Sequence, residues 1–124
     1  MRCAYTARMS PITIYHNPRC SNSRGALQLL QERGLAPHIV DYVKEPLDAA
    51  ALTALVAQLG LPVRELLRSK EPEYAALDLA NPARSEAELI AAVAAHPTLL
   101  NRPIVVTPKG ARLCRPPELV LELL

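Results

Sequence analysis

The sequence predicts an α/β domain with a mixed four-stranded sheet, its elements running β-α-β, helical insert, β-β-α. Three observations predict it. Ile12–Tyr15 (ITIY), His38–Tyr42 (HIVDY) and Ile104–Thr107 (IVVT) are short β-branched or aromatic runs, as strands are. Between the first two, Ala26, Leu27, Leu29 and Leu30 recur at helical spacing. Behind the third, Pro108-Lys109-Gly110 is a turn that doubles the chain back.

Each element has a local cause. Ile12–Tyr15 stops at His16-Asn17-Pro18, a turn signal. A helix spans Cys20 to Arg33, with Gly34 where a C-terminal cap belongs. His38–Tyr42 follows, and a strand-helix-strand unit of this length implies a right-handed parallel crossover. After Lys44-Glu45-Pro46, Asp48 caps a helix through Gln58 that stops at Gly60, and Pro62 opens another through Arg68. Pro72 and Pro82 punctuate what comes next. Ser85-Glu86-Ala87-Glu88 is a capping box leading into an Ala-rich helix that ends near His96-Pro97. Residues 46–97 are therefore a helical insert. The third strand, Ile104–Thr107, turns back as Ala111–Cys114, and Pro116–Leu124 is a terminal helix beginning beside Arg115. Two parallel strands joined to a hairpin, with helices packed on them, is the arrangement of the thioredoxin-like fold.

With 124 residues, half of them apolar and 21% charged, the chain makes one domain able to bury its own core without a metal or disulfide staple. A net charge of +2 gives no reason to expect nucleic acid as a partner. The cations are lopsided nonetheless. Eleven are Arg and three Lys, and Arg presents a planar donor fork suited to oxyanions. Three cysteines, Cys3, Cys20 and Cys114, without a C-x-x-C pair, argue for reduced thiols and a cytoplasmic protein. No stretch has the length and apolarity of a membrane span, so no membrane association is expected. Residues 1–11 lack the apolar core of a signal peptide and precede the patterned sequence, so they read as an N-terminal extension with Cys3 incidental, and 12–124 as the domain.

The chemistry points to Cys20. It follows a strand and a proline turn and enters the first turn of a helix, where unpaired amides and the macrodipole favour a thiolate. A cysteine in a cytosolic chain is more often a small buried hydrophobe. Here His16 and Ser23 flank Cys20 as donors to a thiolate, and Ser21 and Asn22 keep the loop polar. A phosphatase-type loop needs C-x5-R, yet the sixth residues after Cys20, Cys3 and Cys114 are Ala26, Met9 and Val120. His16, His38 and His96 are scattered, so no metal site is expected. There is no G-x-G-x-x-G, Walker loop or G-x-S-x-G, which removes nucleotide and serine-hydrolase readings. Dithiol chemistry lacks its second sulfur, since Ser23 stands three residues after Cys20; a disulfide must form with another molecule or with distant Cys114.

The segment Ile12–Arg24, ITIYHNPRCSNSR, resembles the active-site segment of the glutaredoxin-dependent arsenate reductases, the ArsC family. The likeness continues through Val63–Arg68 (VRELLR), His96–Pro108 (HPTLLNRPIVVTP) and Arg112–Pro117 (RLCRPP), in the same order. It implies Cys20 as nucleophile, His16 and Ser23 as the residues that help set its thiolate, and Arg68, Arg102 and Arg115 as the ligands of an oxyanion. It also implies arsenate or a similar oxyanion as substrate, glutathione as co-substrate with no bound cofactor, and glutaredoxin as partner. Arg19-Cys20-Ser21-Asn22-Ser23 and Arg115-Pro116-Pro117 are closer to a less characterised branch of that family, while Cys114 beside Arg115 is as in the reductases themselves. The RNA-polymerase-binding regulators of the same superfamily carry C-x-x-C, which Ser23 breaks.

The leading expectation is a monothiol arsenate reductase. Two others stand beside it: a glutathione-linked thiol-disulfide oxidoreductase, and a non-enzymatic partner-binding regulator docking through 46–97. Arg24, Arg33, Arg64 and Arg84 are read as ordinary surface arginines paired with carboxylates. In thioredoxin-like folds the residue opening the third strand is typically a cis proline facing the cysteine, which places the expectation on Arg102-Pro103.

Overall fold

The computed structural model describes residues 12–124; residues 1–11, and with them Cys3, lie outside the described part. Four strands, β1 (Thr13–His16), β2 (His38–Asp41), β3 (Ile104–Thr107) and β4 (Gly110–Leu113), and four α-helices, α1 (Ser21–Glu32), α2 (Ala49–Leu59), α3 (Pro72–Ala76) and α4 (Glu86–Ala95), are joined by three short 3₁₀ segments. The chain divides into two units: the part up to Asp41 together with Arg102–Leu124, and Tyr42–Asn101.

The first unit holds the whole sheet, in the order β2-β1-β3-β4. β1 pairs with β2 in parallel (Thr13 opposite His38) and with β3 antiparallel (Tyr15 opposite Ile104), and β3 pairs antiparallel with β4 (Val105 opposite Arg112). This is the mixed sheet of the thioredoxin-like fold. α1 buries Ser23, Ala26 and Leu30, a stripe at helical spacing. Ala26 and Leu30 join Ile12, Ile14, Val105, Cys114, Val120 and Leu123 in one core cluster. α1 ends as its sequence requires, with Gly34 at φ +76°, a left-handed position where a side chain would be strained. The terminal helix expected over Pro116–Leu124 is present as a 3₁₀ helix, Pro117–Leu123, in place of an α-helix. Thr107 Oγ1 donates to the Leu123 carbonyl at 2.8 Å and ties it to the end of β3.

The second unit is helical. Asp48 caps α2 by accepting from the Ala51 N–H at 2.8 Å, and Gly60 closes it at φ +66°. Pro62 opens only a single 3₁₀ turn, Val63–Leu66, because Leu67 leaves it extended to form an antiparallel bridge with Leu100. Pro72, expected merely to punctuate, instead takes the first position of α3, where its missing N–H costs nothing. The Ser85–Glu88 box is complete: the Glu88 N–H donates to Ser85 Oγ at 3.1 Å and the Ser85 N–H to Glu88 Oε1 at 2.8 Å. Leu52, Leu55, Leu66, Leu89, Val93 and Leu99 are buried in this unit. Among the described residues, no helix is long and apolar enough to cross a membrane.

Candidate active site

Cys20 is the N-cap of α1, with extended backbone (φ −94°, ψ 125°) and a half-buried side chain. Three hydrogen bonds fold the loop that carries it. The Cys20 N–H donates to the Asn17 carbonyl (3.0 Å), the Arg19 N–H to Asn17 Oδ1 (2.9 Å), and Arg24 Nη1 to the Pro18 carbonyl (2.8 Å). The sequence marks Asn17 only as part of a turn and Arg24 only as a surface arginine. Asn17 is buried, and an Asn before Pro is an Asx-turn signal that could have revealed it. Arg24, expected to meet a carboxylate, clamps a carbonyl of the cysteine loop instead.

The first turn of α1 contains no acidic residue, and the amides there face the Cys20 sulfur. Partial burial pushes the thiol pKa up. The N–H of Ser23, the guanidinium of Arg102, the N–H of Asn22 and the charge of Arg102 outweigh it, so Cys20 titrates below the ordinary thiol value. On the other side Arg115 Nη1 lies 3.8 Å from Cys20 Sγ and donates to the Arg102 carbonyl at 2.9 Å. The Arg102-Pro103 peptide is cis, as expected, and Arg115-Pro116 is cis as well. β1 and β3 are neighbours, so the loop after β1 and the residues before β3 emerge at the same end of the sheet.

His16 and Ser23 come together beneath this cysteine. His16 Nδ1 is 2.6 Å from Ser23 Oγ, which also accepts from the Asn17 N–H at 3.0 Å. The Ser23 hydroxyl is thus engaged with His16 and Asn17, and Ser23 acts on Cys20 through its main chain. Burial lowers the His16 pKa; the charge of Asp41 opposes that and the charge of Arg24 adds to it.

Arg68 belongs to the helical unit, just beyond the Val63–Leu66 turn, where its N–H donates to the Leu99 carbonyl at 2.8 Å and its Nε lies 3.5 Å from Glu71 Oε2. Two other arginines there are loop clamps. Arg64 donates to the carbonyls of Leu79, Asn81 and Arg84, and Arg84 to those of Leu77 and Asp78 besides its ion pair with Glu88. The expectation of simple carboxylate pairing fails for Arg64 because the turn at 77–84 leaves its carbonyls without helix or strand partners. Cys114 is fully buried in the core, and burial pushes its thiol up to about 12. Among the described residues, no group of three His, Cys, Asp or Glu is placed to hold a metal ion.

A thiolate capped by helix amides and flanked by two guanidiniums is a nucleophile next to a place for an anion. Known proteins resemble the chain over this whole frame. Residues 15–123 match the ArsC family. An arsenate reductase of Rhizobium meliloti is 48% identical over 113 residues, 91% of this chain and 81% of that protein. The uncharacterized protein YfgD of Escherichia coli is 50% identical over 113 residues, 90% of this chain and 95% of that one. The solved arsenate reductase from Vibrio cholerae superposes with a TM-score of 0.88 at 46% identity, over 91% of this chain and 97% of that one. On its sequence, its sheet and the placement of its cysteine, the chain belongs to the ArsC family and is an oxidoreductase.

Proposed function

We propose that the chain is a monothiol arsenate reductase that draws its electrons from glutathione and glutaredoxin. The observation that carries this reading is the Cys20 sulfur, held below the ordinary thiol pKa with Arg102 and Arg115 beside it. The names of its relatives and the family resemblance support the substrate. Arg68 takes the third place in the cradle by its match to the family motif.

In the first step the Cys20 thiolate forms an S–As bond and one arsenate oxygen, protonated, leaves as water. Arsenic remains As(V). Guanidiniums suit this step because their planar donors hold the remaining negative oxygens as charge-assisted bonds. The thiol of glutathione then displaces a second oxygen as water. A glutaredoxin thiolate attacks the glutathionyl sulfur; an S–S bond forms, the S–As bond to glutathione breaks, and its electron pair stays on arsenic as As(III). Water cleaves the last S–As bond, releasing arsenite and restoring Cys20. The sulfurs come from outside because Ser23 fills the C-x-x-S position and Cys114 is buried and protonated at neutral pH. His16 and Ser23 serve by fixing the main chain that faces the sulfur. A free nucleophilic thiol of this kind suits the reducing cytosol.

The test is arsenate-dependent NADPH oxidation in a system of glutathione, glutathione reductase and glutaredoxin, with Cys20→Ser as control. A rate no greater than that of Cys20→Ser would sink the reading. A second reading, a glutathione-linked thiol-disulfide oxidoreductase, rests on the lowered thiol pKa of Cys20, which serves attack on sulfur as well as on arsenic. In it Cys20 attacks the sulfur of a glutathionylated substrate, and turnover of a glutathionylated peptide without arsenate identifies it.

A further inference from the structure

We propose that Gly25 is a positioning residue: the missing side chain at this point of α1 sets where Arg115 stands against Cys20. Gly25 has a glycine's cost without the usual reason for it. It lies inside α1 and is not among the glycines with positive φ, so no left-handed conformation calls for it, and a glycine inside a helix is destabilising relative to alanine. The reason is steric. A Cβ at position 25 would stand 3.1 Å from Cγ and 3.3 Å from Cβ of Pro117, closer than ordinary van der Waals contact.

Pro117 is two residues from Arg115 and cannot turn a rigid ring aside. Beyond it the 3₁₀ helix is anchored by fully buried Val120 and by the Thr107–Leu123 hydrogen bond. Before it Cys114 is fully buried and its N–H donates to the Pro103 carbonyl at 2.8 Å. Arg115 and Pro116, both exposed, are the stretch between these anchors, held by the Arg115 N–H to the Leu113 carbonyl at 3.2 Å and by Nη1 to the Arg102 carbonyl, and so the part least fixed by packing. Pressure at Pro117 is therefore relieved at Arg115, whose guanidinium is 3.8 Å from Cys20 Sγ. A few tenths of an ångström there lengthens the contact of guanidinium with sulfur while leaving the core in place.

The inference rests on the Arg115–Cys20 geometry and stands whether or not arsenate is the substrate. Its test avoids arsenate accordingly. Rates of alkylation at Cys20 by anionic iodoacetate and by neutral iodoacetamide are measured on the Cys20 peptide by mass spectrometry, and the ratio cancels the thiolate fraction. Removing the guanidinium in Arg115→Met lowers the ratio about fivefold, the factor for a charge pair about 4 Å apart in water. Gly25→Ala lowers it about 1.2-fold, the factor for a shift of a few tenths of an ångström at this distance, adds nothing in the Arg115→Met background, and returns to the wild-type ratio in Gly25→Ala with Pro117→Gly, which removes both ring atoms that the new Cβ meets. A wild-type ratio in Gly25→Ala, or a lowered ratio that persists with Pro117→Gly, overturns the proposal. If Gly25→Ala alone does not fold, the double variant decides by the same two outcomes.

Discussion

His16 Nδ1 lies 2.6 Å from Ser23 Oγ, and both residues are buried. Because burial holds the His16 pKa below its ordinary value, the ring is neutral near pH 7. Ser23 Oγ accepts from the Asn17 N–H, and one proton is shared between His16 Nδ1 and Ser23 Oγ. Ser23→Ala leaves the Asn17 N–H and His16 Nδ1 without their partner, and should cost roughly 1–3 kcal/mol in urea unfolding. The pH dependence has a fixed sign. Below about 6.5 an unfolded histidine takes a proton that folded His16 resists, so stability falls on acidification. His16→Gln should flatten that acid limb; an unchanged limb would place the acid sensitivity elsewhere.

Cys20 should be alkylated by iodoacetamide with a pH midpoint below the free-thiol value of about 8.5. Removing the Arg102 guanidinium should raise that midpoint, since Arg102 contributes both a hydrogen bond and a charge. A midpoint at or above the free-thiol value in the wild type would leave Cys20 without a nucleophile's character.

Arg102→Lys should lower kcat/KM for arsenate by about tenfold or more, although charge is kept, because an ammonium cannot offer two parallel donors to one anion. Arg68→Lys and Arg115→Lys should change activity in the same direction. Wild-type kinetics in all three would mean that bulk positive charge suffices.

Cys114 should remain unlabelled at pH 8 while Cys20 reacts, and should label on unfolding. With its thiol pushed up to about 12, folded Cys114 keeps a proton that the unfolded chain releases from about pH 9. The unfolded state binds fewer protons there, so stability falls as pH rises from about 9 to 12, by at most about 1.4 kcal/mol per unit. Cys114→Val should lose that contribution to the alkaline limb while keeping activity; a loss of turnover would bring Cys114 into the redox cycle.

What the sequence discloses here is whatever depends on near neighbours. β1, β2 and β3 are legible as β-branched runs and β4 through the Pro108-Lys109-Gly110 turn, α2 and α4 through the caps Asp48 and Ser85, and the thiolate through the position of Cys20 at the start of α1. The 3₁₀ geometry of Val63–Leu66 and Pro117–Leu123 is not legible, because long-range ties decide it: the Leu67–Leu100 bridge in one case and Thr107 holding Leu123 in the other. The work of Arg24 and Arg64 is hidden for a related reason. Both bind main-chain carbonyls, which every residue has and no composition reveals. Of the predicted oxyanion ligands, Arg102 and Arg115 reach Cys20 from distant sequence, and only the family motif pointed to them.

The pairing of β1 with β3 also sets when chemistry can begin. Cys20 and Arg115 are 95 residues apart, and the strand that brings Arg102 to the cysteine pairs with one made near the start of the chain. Such distant pairings carry a loop-closure cost and form late. During synthesis Cys20 emerges before Arg102 and Arg115, as a thiol with its helix amides but without its arginines. It gains them only after Arg115 has left the ribosome and β3 has docked. The nascent protein therefore carries a cysteine without its guanidiniums, and it gains their part of its reactivity with the closing of the sheet.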